Sequence, residues 1–484
     1  MRLQRLFPAL TVGATLAFAA ACPARAGQGE GITIRRLTMR PYIDTSVTYD
    51  SSALGAPGTG AARNLAPTPA MNGAGAPANQ AVAEESDFYY QLEAGATFLW
   101  HEDPTVVSGI AWGRLRRFVD NDLEDEEGFG ERLGMARGDR ETLLWRIFES
   151  YERQFDFTLQ NAETGVTAPA LELPEAQSLS EGRAPVSPSG SFALAEEVLR
   201  SRSRRDLFDV SLDGGRNLSE KLELDVGYSY ALIDYGDENL FGQSQHTGTA
   251  GLGRPLTHKT TSFLQGTYGL EDNDNYLEAA PYNEVLLGLR SRTTAKLSYN
   301  LGIGYLSYET AELKPVLQVD GSALSAEPRR DPVTGEIIPE PPPDDHQRGL
   351  AYDAGISWRP TDKLGFGLSS RNAYDSTSAG NQREINLVQL SAAHRPTAAV
   401  SLTIGLGYRD EQAVDRVVQV DEAGVETRIN EGRETLAVGA RVSFHPLGKA
   451  YELYADAASE DIQSNLPGQS YDRYRLGMGL KATY

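Results

Sequence analysis

Cysteine is almost missing from this chain: among its 484 residues only Cys22 is one. It lies in the N-terminal stretch, so everything after it lacks disulfides, thiolate metal sites and cysteine nucleophiles. Histidine is scarce as well, with His101, His246, His258, His346, His394 and His445 making six in total. No two of them share the spacing of a zinc site, and no serine sits in a nucleophile-elbow context. His246 beside Ser244 is the nearest thing to a nucleophile–base pair. These gaps point away from an enzyme and from a bound cofactor or metal. Excess positive charge is also absent. A net charge of −22 argues against nucleic acid as a partner. After residue 26 no apolar run is long enough for a membrane-spanning helix.

One apolar run does exist, Leu6–Ala21, behind the basic residues Arg2 and Arg5. Ala24-Arg25-Ala26 follows as a small-x-small cleavage site, so residues 1–26 read as a secretory signal peptide. The rival, a lipoprotein signal ending at Cys22, lacks a large aliphatic residue three places before the cysteine. Residues 27–40 read as a short periplasmic segment, with the first strand starting near Pro41.

What fills the rest is alternation. In Leu222–Leu232, Leu222, Leu224, Val226, Tyr228, Tyr230 and Leu232 share one face, and Glu223, Asp225, Gly227, Ser229 and Ala231 share the other. Ala295–Tyr305 and Val400–Arg409 repeat the pattern. So do the last residues, where Tyr474, Leu476, Met478, Leu480, Ala482 and Tyr484 alternate with Arg475, Gly477, Gly479, Lys481 and Thr483. Successive strand side chains point to opposite faces, so each segment is apolar on one side and wet on the other. About ten such residues cross a bilayer at a tilt.

The connections alternate too. Short turns fall at 100–105, 217–221, 254–259, 291–295, 359–363, 395–398 and 445–449. Between them lie long, acidic or Pro/Gly-rich stretches at 50–86, 117–205, 233–243, 270–281, 308–347, 374–383, 410–433 and 460–471. A barrel in a bacterial outer membrane pairs short periplasmic turns with long outer loops in this way. The expected fold is therefore an all-β, transmembrane, antiparallel up-and-down β-barrel of about sixteen strands over 41–484. Residues 117–205 are the anomaly. Glu141–Tyr151 places Leu144, Ile147, Phe148 and Tyr151 at helical spacing. The segment reads as one outer insertion: a plug folded into the lumen, a solvated excursion with one short helix, or two further strands.

Asp209, Asp213, Glu223 and Asp225 fall on inward positions and make an acidic stretch of wall. Arg371, Arg409, Arg441 and Arg475, with Lys481, fall inward on later strands. Opposed rows of charge would order water and select solutes across the lumen. The alternative is that inward charges pair across strands and fill a narrow interior. Inward glycines, such as Gly302, Gly304, Gly405 and Gly407, favour space inside. Glu271-Asp272-Asn273-Asp274-Asn275 resembles the opening of a calcium loop but lacks its glycine and late glutamate. Outward tyrosines and tryptophans near strand ends match interfacial girdles.

Asp206–Asp213 continuing through Leu224–Tyr230, with Tyr49-Asp50-Ser51 and Ser86-Asp87-Phe88-Tyr89-Tyr90, resembles the β-barrel porin families of Gram-negative bacteria, some encoded beside exopolysaccharide genes. The resemblance implies an outer-membrane barrel of the cell envelope and carries no catalytic residues. It implies that the closing strand, through Tyr474, Leu476, Met478, Leu480 and Tyr484, is the signal read by the barrel-assembly machinery. The expected activity is a porin-like passage for small polar solutes or for an exported polysaccharide. The alternative is a non-conducting structural or adhesive barrel acting through acidic loops. The expected surroundings are outer-membrane lipid and lipopolysaccharide, whose phosphates divalent cations would bridge to those loops.

Overall fold

The computed structural model describes residues 32–51, 87–119, 126–139, 141, 143–154, 205–235, 242–274, 278–309, 346–376, 382–420, 426–446, 450–465 and 470–483. The signal-peptide reading, Tyr484 and most of 117–205 lie outside them. The strands run β1 (Ile32–Ile34), β2 (Leu37–Asp50), β3 (Asp87–Glu102), β4 (Thr105–Phe118), β5 (Glu126–Arg137) and β6 (Leu144–Gln154). Next come β7 (Arg205–Ser219), β8 (Leu222–Tyr235), β9 (Gln243–Pro255), β10 (Thr260–Asn273), β11 (Ala280–Thr294), β12 (Leu297–Glu309) and β13 (His346–Thr361). The last six are β14 (Leu364–Ser376), β15 (Gln382–His394), β16 (Val400–Val420), β17 (Glu426–Phe444), β18 (Tyr451–Ser464) and β19 (Tyr471–Thr483).

From β2 onward every strand pairs antiparallel with its chain neighbour, and β19 pairs back onto β2, from Arg475↔Asp50 to Thr483↔Tyr42. The sheet has nineteen strands. Taking away β1, which pairs only with the start of β2, leaves a closed ring of eighteen. Closure leaves no open edge along the ring itself, where each of the strands from β2 to β19 is paired on both sides. The two-residue turn between β1 and β2 puts Arg35 at a φ of 57°, the left-handed region that such tight turns require.

The ring is inside-out by the standards of a soluble protein. Met478 is 67% exposed, Leu287 62% and Ile303 60%, all on outward positions. Inward polar groups such as Glu411 (2%) and Arg409 (4%) are buried. Along most strands the outward set is Leu, Ile, Val, Tyr and Trp, and the register carries it from strand to strand: Val285↔Tyr305, Leu287↔Ile303, Leu289↔Leu301. A period of two runs along most strands, the pattern that water inside and an apolar medium outside would select.

The expected count of about sixteen strands is corrected to eighteen, because β5 and β6 lie within 117–205. The stretch expected as a helix, Glu141–Tyr151, is mostly strand β6, hydrogen-bonded to β5 and β7. Its helical spacing comes from apolar residues on both faces. Leu144 and Phe148 point inward, while Ile147 and Tyr151 point outward. β5 hid for the opposite reason: Glu127 and Glu131 take outward positions that other strands give to apolar residues. Two further expectations shift. β2 begins at Leu37 instead of Pro41, and most of 410–433 is an extended hairpin, since β16 runs to Val420 and β17 starts at Glu426.

The short turns share a local chemistry. The hydroxyls of Ser219, Thr257, Thr294, Thr361 and Thr397 each accept the backbone N–H two residues on, at 3.1–3.3 Å. Such side-chain turns hold the chain while it reverses. Adjacent turns are then joined. Lys259 Nζ donates to the Thr293 carbonyl at 2.9 Å, Lys296 Nζ to Pro360 at 2.9 Å, and Lys363 Nζ to Pro396 at 3.1 Å. Backbone bonds run the other way: the N–H of Arg292 donates to Lys259, that of Arg359 to Lys296, and that of Arg395 to Lys363. The rim is a chain of linked hairpins.

Candidate functional site

The inward face of the ring is the candidate site. Asp209 and Asp213 on β7 and Glu223 and Asp225 on β8 all point inward, on two neighbouring strands. Beside them the wall is lined by small and hydroxyl side chains: Ser211, Gly227, Ser229, Thr247 and Thr249. Gly227 has a packing reason, because a Cβ there would lie 2.8 Å from Asp213 Oδ1 and 2.6 Å from Thr249 Oγ1.

A residue the sequence did not single out organises this acidic stretch. Arg290 on β11 reaches back over β10 and β9, placing Nη2 2.5 Å from Glu223 Oε2 and 3.8 Å from Asp225 Oδ2. It crosses β9 at Gly253, which has no side chain. A Cβ on Gly253 would lie 3.0 Å from both Arg290 Nη2 and Glu223 Oε2. The available signal was parity, since Arg290 opposes Asn300 and Thr261 on inward positions.

Further round, Arg371 on β14 opposes Asp353 on β13, and Asn300 Nδ2 donates to Asp353 Oδ2 at 2.9 Å. These groups share one hollow of about 510 Å³ with Arg146, Asp213, Asp225, Glu284 and Arg290. Arg371 therefore joins the acidic residues instead of facing them from another wall. On one side of the hollow lies an aromatic cluster, with Tyr308 stacked on Tyr374 at 3.8 Å and Tyr282 and Phe263 packed against it.

β16 and β17 lie nine strands from β7 and β8, on the opposite side of the ring. Their arginines are matched locally. Arg409 Nε lies 2.5 Å from Glu411 Oε1, and Arg383 Nη1 lies 2.7 Å from Glu411 Oε2. Arg441 sits 3.5 Å from Glu452 and packs its guanidinium 3.8 Å from the centre of the Tyr454 ring. The Tyr454 hydroxyl then donates to Asp44 at 2.8 Å, and the Tyr42 hydroxyl to Glu93 at 2.9 Å, which also holds Arg114. Lys481 lies 4.6 Å over the Tyr42 ring. This polar chain crosses the β19–β2 seam. Arg475, 8% exposed, opposes Asp50, which receives two bonds from Arg473 at 3.0 and 2.5 Å. Cross-strand pairing along the wall, more than two facing rows, is the arrangement among the described residues.

The remaining sequence candidates disperse. Tyr474, Leu476, Met478 and Leu480 form the outward row of β19, next to the seam. His246 faces outward, its Nδ1 2.8 Å from the Tyr228 hydroxyl and its ring 4.7 Å from that of Tyr230. Glu271 and Asn273 point inward and Asp272 outward, so these three residues of the calcium-like run do not share a face. Among the described residues no group of acidic, histidine or cysteine side chains could hold a metal.

No known protein family matches the chain. No curated protein matches it either. Among solved structures it is similar to OccAB4 of Acinetobacter baumannii, with 9% identity and a TM-score of 0.37 over 92% of this chain and 98% of that one. It is also similar to OpdK of Pseudomonas aeruginosa, solved with vanillate, with 9% identity and a TM-score of 0.38 over 92% and 99%. A third is the FrpB iron transporter of Neisseria meningitidis, with 8% identity and a TM-score of 0.36 over 89% of this chain. The chain spans 62% of FrpB's length.

Proposed function

We propose that this chain is a barrel of the bacterial outer membrane and that it forms a channel for small polar solutes. One observation carries the reading: an eighteen-strand ring that is apolar outside and polar inside, with a hollow of about 510 Å³ against the β6–β15 part of its inner wall. Rings of this size leave an aqueous interior that side chains alone do not fill. Hydroxyls, amides and charges of both signs line it, which suits solutes that exchange water for hydrogen bonds. Export of a polysaccharide is a finer version of the same activity.

A second reading, a closed barrel acting through its outer surface, is favoured by a separate observation. Inward polar side chains toward the long-connection end are buried on several sides of the ring: Arg116 1%, Gln243 1%, Glu271 0% and Glu411 2% exposed.

Single-channel recording of the refolded chain in a planar bilayer under a salt gradient decides between them. Discrete steps are expected, with a reversal potential that moves toward anions when Asp209→Asn and Asp213→Asn are combined. A folded, inserted protein that gives no steps would establish the closed barrel.

A further inference from the structure

We propose that the short-turn rim between β7 and β16 is a binding surface for anionic phospholipid headgroups. This rests on the membrane-spanning reading above. The surface is built from a repeat. Each short turn from β7–β8 to β13–β14 that joins neighbouring strands has an arginine entering and a lysine leaving: Arg216 and Lys221, Arg254 and Lys259, Arg292 and Lys296, Arg359 and Lys363. Arg395 enters the next. All of these side chains are exposed, and the carboxylates within these turns are Glu220 and Asp362. In a chain of net charge −22 this concentration of cations at one end is unexpected.

The placement points to lipid. Arg216 and Arg254 sit on outward positions, opposite Leu224 and Ser262, at the lower edge of the apolar belt. Leu218 and Leu256, inside the same turns, are 51% and 55% exposed. A soluble acidic partner has no use for leucines among the cations. A bilayer edge takes both, leucine into the acyl boundary and the cation to the phosphate. The lysine-to-carbonyl bonds between turns fix the repeat at one hairpin, roughly 10 Å, which is close to the width of a lipid headgroup. Elsewhere on that rim charge is balanced: Arg36 pairs with Glu102, and Asp103 and Asp139 flank the following turns.

The test uses the full chain in nanodiscs of equal phosphatidylglycerol and phosphatidylcholine, with retained lipid counted by native mass spectrometry after mild detergent release. Phosphatidylglycerol is expected to outnumber phosphatidylcholine at least about five-fold. Joint Arg216→Gln, Arg254→Gln, Arg292→Gln and Arg359→Gln should bring the ratio near parity. Asp461→Asn with Asp472→Asn, at the other end, should leave it unchanged. Parity in the native chain, an undiminished ratio in the four-glutamine variant, or equally tight binding of soluble polyglutamate would overturn the proposal. Should that variant not fold, the native chain decides: a preference that survives a rise from roughly 50 mM to about 1 M salt also overturns it. Failure to enter nanodiscs at all would instead remove the membrane reading beneath it.

Discussion

The seam where β19 meets β2 and the sector made by β5 and β6 are built from the same antiparallel ladder, yet they treat the outer face differently. At the seam the outward row is unbroken: Leu476, Met478 and Leu480 lie against Tyr49, Val47 and Thr45. In the sector, Glu131 and Glu149 stand mid-strand on outward positions, beside Ala111 and Leu133. Elsewhere outward charge lies near strand ends, as at Asp272 and Asp461, or at the base of the extended β16–β17 hairpin, as at Asp410 and Glu434. Hydrogen bonding is therefore indifferent to the outer medium, and the side-chain pattern alone records it. On the membrane reading, a lapse in the pattern means that lipid is met at a cost or that something other than lipid is met.

The largest expected effect comes from making the seam resemble the sector. Met478→Lys, in the middle of β19, should destabilise the folded barrel by about 2–4 kcal/mol, the cost of a cation at bilayer midplane. Denaturant titration in lipid vesicles measures it. A change below about 0.5 kcal/mol would show that this row does not face hydrocarbon.

The converse is smaller and opposite in sign. Glu131→Leu combined with Glu149→Leu should stabilise the barrel by about 1–2 kcal/mol in the same titration, since carboxylates on a lipid face cost less than cations. A loss of stability would sharpen the comparison in the other direction. It would mean that the sector's carboxylates have a protein partner, and that the belt is interrupted because lipid is excluded there.

The same contrast explains what could be read in advance. Leu222–Leu232 and Tyr474–Thr483 were legible because every outward residue is apolar and every inward one is small or polar. β5 and β6 were not, because Glu131 breaks the outward row and Phe148 adds an apolar residue to the inward one. Parity also placed Asp209, Asp213, Glu223, Asp225, Arg371, Arg409, Arg441 and Arg475 on the inner face, since a strand fixes the side of each residue. It could not name partners. Arg290 meets Glu223 across two intervening strands, of which β9 carries Gly251 and Gly253 near the crossing. Arg473, two residues from Arg475, takes the paired bonds to Asp50. Registers across a closed ring set such meetings, and the pattern within one strand holds no record of them. The repeated Arg-to-Lys turns are a matter of period, with Arg216, Arg254 and Arg292 recurring at hairpin spacing, and the sequence reading passed over them.

Those turns give the smallest and most local test. At Thr361 the hydroxyl accepts the Lys363 N–H at 3.3 Å, and Lys363 goes on to bond Pro396. Thr361→Ala removes one hydrogen bond at an exposed site where water can replace it, so a loss of about 0.5–1 kcal/mol is expected. Thr361→Ser keeps the hydroxyl and should recover most of it. If the linked rim acts as a unit, the alanine change should also speed amide exchange at Arg395, whose N–H is bonded to the Lys363 carbonyl at 2.7 Å. If each turn stands alone, exchange at Arg395 should stay as it was while that at Lys363 rises. The lysine bonds along the rim would then be ornaments of hairpins that hold themselves, and the contrast between seam and sector would have to be settled within the strands.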